Sequence, residues 1–368
     1  MRRKGLVVAF LWLGSSLIGW AQSDAPRNVI LMIGDGMGVA AIGQLAAATG
    51  DRVFSRFPRG GLVLTWPLDE ETWVTDSGAS ATAMATGEKT RNHLLSLRPN
   101  AQGTLDTLET VLELAERLGK ATGIVVACQV THATPAAFFA HADRGNELGI
   151  AAQLVESGVD VVLGGGTSFF LPADSSGGKR QDGRDLLAEL RNRGYRVITD
   201  TSELRGLDLS KEAKVIGLFA PVALPAAVER KLRLAELVDC ALRCLSKHPS
   251  GFFLMVEGSQ IDWAAHANNA EHELAEMRDF AEAIRVALDF ASRDGKTLLI
   301  VTADHETGGM AITGGSPKEA RVEVGYLVGN HTADPVPFFA YGPGSERLPA
   351  LLENDYIGRV LKDLVRGR

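Results

Sequence analysis

The sequence predicts an α/β protein built on a mostly parallel central sheet covered by helices on both faces, a three-layer sandwich. Two observations carry this. Short apolar runs alternate with amphipathic stretches along the chain. Several of those runs, Ile124-Val125-Val126-Ala127 and Phe252-Phe253-Leu254-Met255-Val256 among them, contain no polar residue. Strands buried on both faces read this way, and helices placed between them must cover both sides of the sheet. No linker or internal repeat divides the chain, so a single domain is expected over residues 22–368.

Taken in order, strands are expected over 28–33, 62–65, 122–128, 159–163, 252–256, 297–302 and 338–341. Helices are expected over 105–118, 147–156, 185–193, 232–247 and 271–293. The Gly- and Ser-rich stretch 174–178 and the stretch 314–328 read as surface excursions. Residues 1–21 have the pattern of a signal peptide. Arg2, Arg3 and Lys4 precede an apolar run over 6–17, and Gly19 and Ala21 put small residues at the cleavage site. Export to the periplasm or the medium is therefore expected. No later run reaches the roughly 18 apolar residues of a membrane span, so no stable anchor is expected after cleavage.

Composition narrows the function classes. With 45% hydrophobic and 23% charged residues, 40 glycines and three cysteines, disorder, collagen and a disulfide scaffold are excluded. The net charge of -7, which becomes -10 without residues 1–21, argues against a nucleic-acid-binding surface. Cys128 ends an apolar run and reads as a small buried hydrophobe. Cys240 and Cys244 lie one helical turn apart, a poor geometry for a bridge, and no disulfide is expected.

In sheets of this type ligands gather beyond the carboxyl ends of the strands. The first strand hands over to Gly34-Asp35-Gly36, the strand over 252–256 to Glu257 with Asp262 soon after, and the strand over 297–302 to Asp304-His305-Glu306. Carboxylates brought to one edge repel one another and are costly to bury, a cost divalent cations relieve. Asp262 and His266, four apart, share one face of a helix and can grip one ion. Ser77, before the helix-compatible run to Thr86, has two readings: an N-cap, or a nucleophile favoured by the positive helix end. No histidine stands near Ser77 in sequence to act as its base, which points to metal activation.

Six blocks taken together closely resemble the alkaline phosphatase family. They are Gly34-Asp35-Gly36-Met37-Gly38, Thr75 to Ala83 around Asp76-Ser77, Thr131-His132-Ala133-Thr134-Pro135, Val256 to Asp262 around Glu257, Thr302-Ala303-Asp304-His305, and His331-Thr332. They follow the family's order and span residues 28 to about 343. The resemblance implies an alkaline phosphatase-like sandwich acting as one catalytic domain. It also implies a metal-dependent hydrolase of small phosphate monoesters, working through a phosphoserine on Ser77 with two zinc ions and one magnesium. Asp262, His266 and His331 then look like ligands of the first zinc, and Asp35, Asp304 and His305 of the second. Asp35, Thr134 and Glu257 look like the magnesium set. Arg144 matches the family's phosphate-clamping arginine, oriented by Asp76. His132 and Trp263 border the magnesium position, where some bacterial members carry an aspartate and a lysine. Lacking the lysine-type contact, this chain is expected to release product phosphate more readily.

Only 25 residues separate His305 from His331, where larger relatives insert a crown that helps the dimer. A homodimer is thus left open. The family's sulfatase cousins need a Cys/Ser-x-Pro-x-Arg setting that Ser77-Gly78-Ala79-Ser80-Ala81 lacks, and phosphodiesterases often use threonine as nucleophile. A binding protein without turnover would not need Ser77. His93, His141, His248 and His272 match no ligand position, and Glu306 is either a support for His305 or a loop carboxylate.

Overall fold

The structure, a computed structural model, describes residues 25–368, excluding the side chain of Ser210; the expected signal peptide lies outside them. Its centre is a sheet of ten strands. In chain order these are β1 (Asn28–Gly34), β2 (Arg59–Leu64), β3 (Ala121–Gln129), β4 (Val161–Gly165), β5 (Arg196–Ile198), β6 (Val215–Leu218), β7 (Phe252–Gly258), β8 (Thr297–Thr302), β9 (Val336–Tyr341) and β10 (Leu351–Glu353). Their order across the sheet is β10-β2-β9-β8-β1-β7-β3-β4-β6-β5. Only β9 runs against its neighbours, pairing antiparallel with both β8 and β2. The remaining pairs are parallel, so the sheet is mixed, as well as mostly parallel.

The central strands are apolar because both of their faces are covered. Every residue of β1, β3, β7 and β8 is buried. The register aligns their carboxyl ends: Ile33 on β1 stands beside Glu257 on one side and Thr302 on the other, and Glu257 stands beside Val126. Side chains leaving these ends therefore meet at one edge. Since β9 is reversed, its amino end lies at that same edge, and the loop entering it returns His331 there.

Helices form where caps and periodicity agree. The helix Ala270–Asp294 begins at Asn269, whose side chain accepts from His272 N–H, and stops at Gly295 with φ 68°. The helix expected over 105–118 is shorter. Leu105–Thr107 pairs as a strand with Leu97–Pro99, and the helix begins only at Val111. Thr110 fixes that start by a capping box with Glu113. The stretch 314–328 is mostly a hairpin arm, Ala311–Ser316 paired with Arg321–Gly325. The strands β5, β6 and β10, of three, four and three residues, are too short to show a period in sequence. No described helix is long and apolar enough to cross a membrane.

The helix Ser77–Thr86 is buried along its whole length, which explains its run of Gly, Ala, Ser and Thr. It packs on the helix Asn354–Val365 at a glycine. A Cβ on Gly358 would lie 2.4 Å from Gly87 N and 2.5 Å from Ala83 O. Gly358→Ala is accordingly expected to destabilise the protein by about 1–3 kcal/mol despite alanine's better helix propensity, read as a lowered midpoint in denaturant unfolding.

Candidate metal centre

Among the described residues, three groups of His, Cys, Asp and Glu bring ligand atoms within 4.8 Å of one another: Asp262-His266-His331, Asp35-Asp304-His305 and Cys128-His132-Glu257. All sit at the carboxyl edge of the sheet. Asp35, Asp304 and Glu257 are fully buried. Both oxygens of Asp35, Oδ2 of Asp304 and Oε1 of Glu257 have no hydrogen-bond partner among the described residues. Burial, and then the charges of Asp304, Asp262 and Glu257, hold the Asp35 carboxyl well above its ordinary range. Burial also raises Asp304, and pushes Glu257 up to about 7 against hydrogen bonds from Ser259 and Cys128. Unpartnered carboxylate oxygens gathered in an apolar interior are what a cation site provides, so this donor set fits divalent metal.

The histidines are oriented to match. His266 and His331 donate through Nδ1 to backbone carbonyls, Gly329 O at 3.0 Å and Thr75 O at 2.9 Å. A carbonyl only accepts, so each Nδ1 carries the hydrogen and each Nε2 presents a lone pair. Those two Nε2 atoms face each other at 3.1 Å. They stand 3.3 and 3.5 Å from Asp262 Oδ1. Three acceptors turned on one point call for a cation. The i,i+4 placement on the helix Gln260–His266 supplies two of them, as the spacing predicts.

In the second group His305 Nε2 lies 3.5 Å from Asp35 Oδ1, 3.4 Å from Asp304 Oδ2 and 3.2 Å from Ser77 Oγ. Burial and the neighbouring His331 hold its pKa well below the usual histidine range, so the ring is neutral. Its Nδ1 meets Thr307 Oγ1 at 3.2 Å, and that hydroxyl donates to Asp262 Oδ1 at 2.6 Å. Thr307 thus ties the two groups together, and sequence reasoning missed it. Its neighbour in space is Gly36, at φ 74°, where a Cβ would lie 2.8 Å from Thr307 Oγ1. Glu306 accepts from the N–H groups of Gly309 and Met310 and from Thr332 Oγ1, pinning the loop beside His331.

The third group is built on β3 and β7. Cys128 is buried as expected, but it is more than a hydrophobe: its Sγ lies 3.2 Å from Glu257 Oε2. Thr134 Oγ1 and His132 Nδ1 are buried without partners. Burial and then Arg144 lower His132 to about 4, so its imidazole is neutral. The Trp263 ring meets it edge-on, with centroids 6.0 Å apart.

Ser77 is not the helix cap. Asp76 takes that role, its Oδ1 accepting from Ala79 N–H at 2.8 Å, and Ser77 opens the first turn with its Oγ turned to His305. Asp76 also accepts from Arg144 Nη1 at 2.9 Å and from His93 N–H at 3.0 Å. Burial alone would raise Asp76, but the Arg144 charge and the Ala79 N–H outweigh it and hold its pKa low. Arg144 N–H in turn donates to His93 O at 2.8 Å. Asn92 accepts from Asp76 N–H at 2.8 Å. Asn92 and His93 therefore set the Asp76–Arg144 pair through side-chain amide and backbone, with His93 held at φ 71° and its ring exposed. Sequence reasoning gave neither residue this role. His141 and His272 bond instead to Glu113 and Glu276, away from the centre.

The alkaline phosphatase family model matches residues 26–322. The chain is 39% identical over 315 residues to alkaline phosphatase 4 of Bacillus subtilis (strain 168), covering 81% of this chain and 65% of that protein. It is 39% identical over 309 residues to alkaline phosphatase 3 of the same organism, covering 79% and 63%. It thus spans somewhat less than two-thirds of those relatives' length. Over 94% of this chain and 100% of the other, it superposes on the alkaline phosphatase from the Antarctic bacterium TAB5 with TM-score 0.84 and 37% identity.

The buried carboxyls give the metal-stripped protein a defined pH response. A carboxyl that keeps its proton to higher pH when folded adds stability below its unfolded pKa, near 4.5 for glutamate, and loses it as pH rises through the folded value, about 7 for Glu257. Half-buried His132 and buried His305 act in the opposite sense, but only below 6.5. Between about pH 6.5 and 8 the chelator-treated protein should therefore lose about 1 kcal/mol more stability than the same protein loaded with divalent metal, measured by denaturant unfolding.

Proposed function

Since the chain belongs to the alkaline phosphatase family, we propose that it hydrolyses phosphate monoesters to alcohol and inorganic phosphate through a phosphoserine on Ser77. The observation that carries this reading is a serine oxygen, at the first turn of a buried helix, facing a cluster of unpartnered carboxylates and a neutral histidine. Two zinc ions and one magnesium would supply the charge that neutralises a phosphate dianion, lowers the pKa of a hydroxyl or water, and stabilises a departing alkoxide.

In this reading Asp262, His266 and His331 hold one zinc, and Asp35, Asp304 and His305 the other. Asp35, Thr134 and Glu257 hold the magnesium. Arg144 binds two phosphate oxygens with its planar fork, and Asp76 keeps that fork aimed. Ser77 Oγ, its proton passing to solvent, attacks phosphorus in line as the P–O bond to the ester oxygen breaks on the opposite side, and that oxygen takes up a proton to leave as the alcohol. A water, losing a proton to solvent, then attacks the phosphoserine in line as the P–Oγ bond breaks; Ser77 Oγ regains a proton and inorganic phosphate leaves Arg144. Gly329, Thr75 and Thr307 each engage an Nδ1, which leaves the three Nε2 atoms turned to the carboxylates.

Residues 22–368 are proposed to act as one catalytic domain, exported after removal of residues 1–21. Small phosphate monoesters are the proposed substrates; a phosphate diester and a sulfate ester are the comparison that separates this chemistry from its neighbours. Ser77→Ala should abolish both turnover of a chromogenic monoester and the acid-stable phosphoenzyme. A normal burst of product in that variant contradicts the assignment. Chelation should remove activity by at least 100-fold, with recovery on adding zinc and magnesium together. Trp263→Lys, which introduces an ammonium beside His132, should tighten inhibition by inorganic phosphate; unchanged inhibition would refute a part for Trp263 in phosphate release.

A further inference from the structure

The third cluster carries donors that a magnesium site does not use. Cys128 leaves β3 next to Glu257 on β7, and its Sγ has two acceptors at equal range, Glu257 Oε2 and Gln129 O, both at 3.2 Å. One S–H hydrogen cannot serve both fully. Ser259 Oγ donates to the same Glu257 Oε2 at 2.7 Å and accepts from the N–H groups of Ala127 and Cys128, so carboxylate and thiol are set against each other by one hydroxyl. Glu257 Oε1 and His132 Nδ1 remain buried and without partners. Sulfur, imidazole nitrogen and carboxylate oxygen thus lie within 4.8 Å of one another.

Magnesium takes an octahedral shell of oxygens, whereas sulfur and imidazole together select zinc-class ions. With Zn–S of about 2.3 Å and Zn–O of about 2.0 Å, ligands sharing a tetrahedral ion lie about 3.5 Å apart, close to the sulfur–oxygen separation already present. Resting on the reading of these clusters as metal sites, we infer that the third site of this chain accepts a thiophilic divalent ion through Cys128, His132 and Glu257. Because Glu257 also belongs to the all-oxygen set with Asp35 and Thr134, such an ion displaces magnesium instead of joining it. The thiol proton is released to solvent as the Sγ–metal bond forms.

Cobalt(II) separates this inference from the function it builds on. The full-length protein is stripped with chelator and dialysed against cobalt in the presence of excess magnesium, then examined by absorption spectroscopy and metal analysis. A sulfur-to-cobalt charge-transfer band in the near ultraviolet is expected, together with a third equivalent of bound cobalt. Both should disappear in Cys128→Ser, while the other two equivalents remain. Should Cys128→Ser fail to fold, the Cys240→Ser, Cys244→Ser double variant carries the test: a retained band supports Cys128 as the ligand, and a lost band overturns it. Two equivalents of cobalt without the band would show Cys128 to be a hydrogen-bonded thiol only, overturning the inference while leaving the proposed phosphatase centre intact. No cobalt bound at all would remove both.

Discussion

Carboxylate oxygens buried with no hydrogen-bond partner among the described residues govern this structure. Asp35, Asp304 and Glu257 each end or follow a strand of the central sheet, and each is fully removed from solvent. A carboxylate in that position without compensation costs several kcal/mol, more than any single packing contact around it returns. The parallel register makes the crowding unavoidable, since it lines up the ends of β1, β3, β7 and β8. Bound cations turn the same crowding into affinity. The negative net charge of the chain is thus in part a cation site counted without its cations.

The supporting hydrogen bonds follow from that constraint. Gly329 O, Thr75 O and Thr307 Oγ1 each take a histidine Nδ1, which leaves three Nε2 lone pairs facing the carboxylates. Thr307 continues to Asp262, so the two groups that face each other share one hydroxyl. A second network lies around Ser77. Asp76 caps the helix with one oxygen and holds Arg144 with the other. The two networks meet at Ser77, whose Oγ lies 3.2 Å from His305 Nε2 and which directly follows Asp76.

Much of this was legible in the sequence because the ligands follow strands directly. Asp35, Glu257 and Asp304 stand within two residues of an apolar run, and Asp262 and His266 carry helical spacing. The missing parts lack such a pattern. Thr307, Asn92 and His93 act through contacts between loops that are far apart in sequence, and neither spacing nor periodicity marks them. Ser77 was read as cap or nucleophile because both favour a helix start; the adjacent Asp76 takes the cap and frees the hydroxyl. Cys128 ends an apolar run and so looks like packing. Only the register of β3 against β7 puts its sulfur on Glu257.

In the proposed function the carboxylates at the sheet edge hold metal beside Ser77. Anomalous diffraction from crystals of the zinc-loaded protein, collected on both sides of the zinc absorption edge, tests it most directly. Separate anomalous peaks are expected within bonding distance of Asp262-His266-His331 and of Asp35-Asp304-His305, the second also touching Ser77 Oγ. An edge-dependent map without peaks at those positions, or with zinc only at exposed surface histidines, would contradict it.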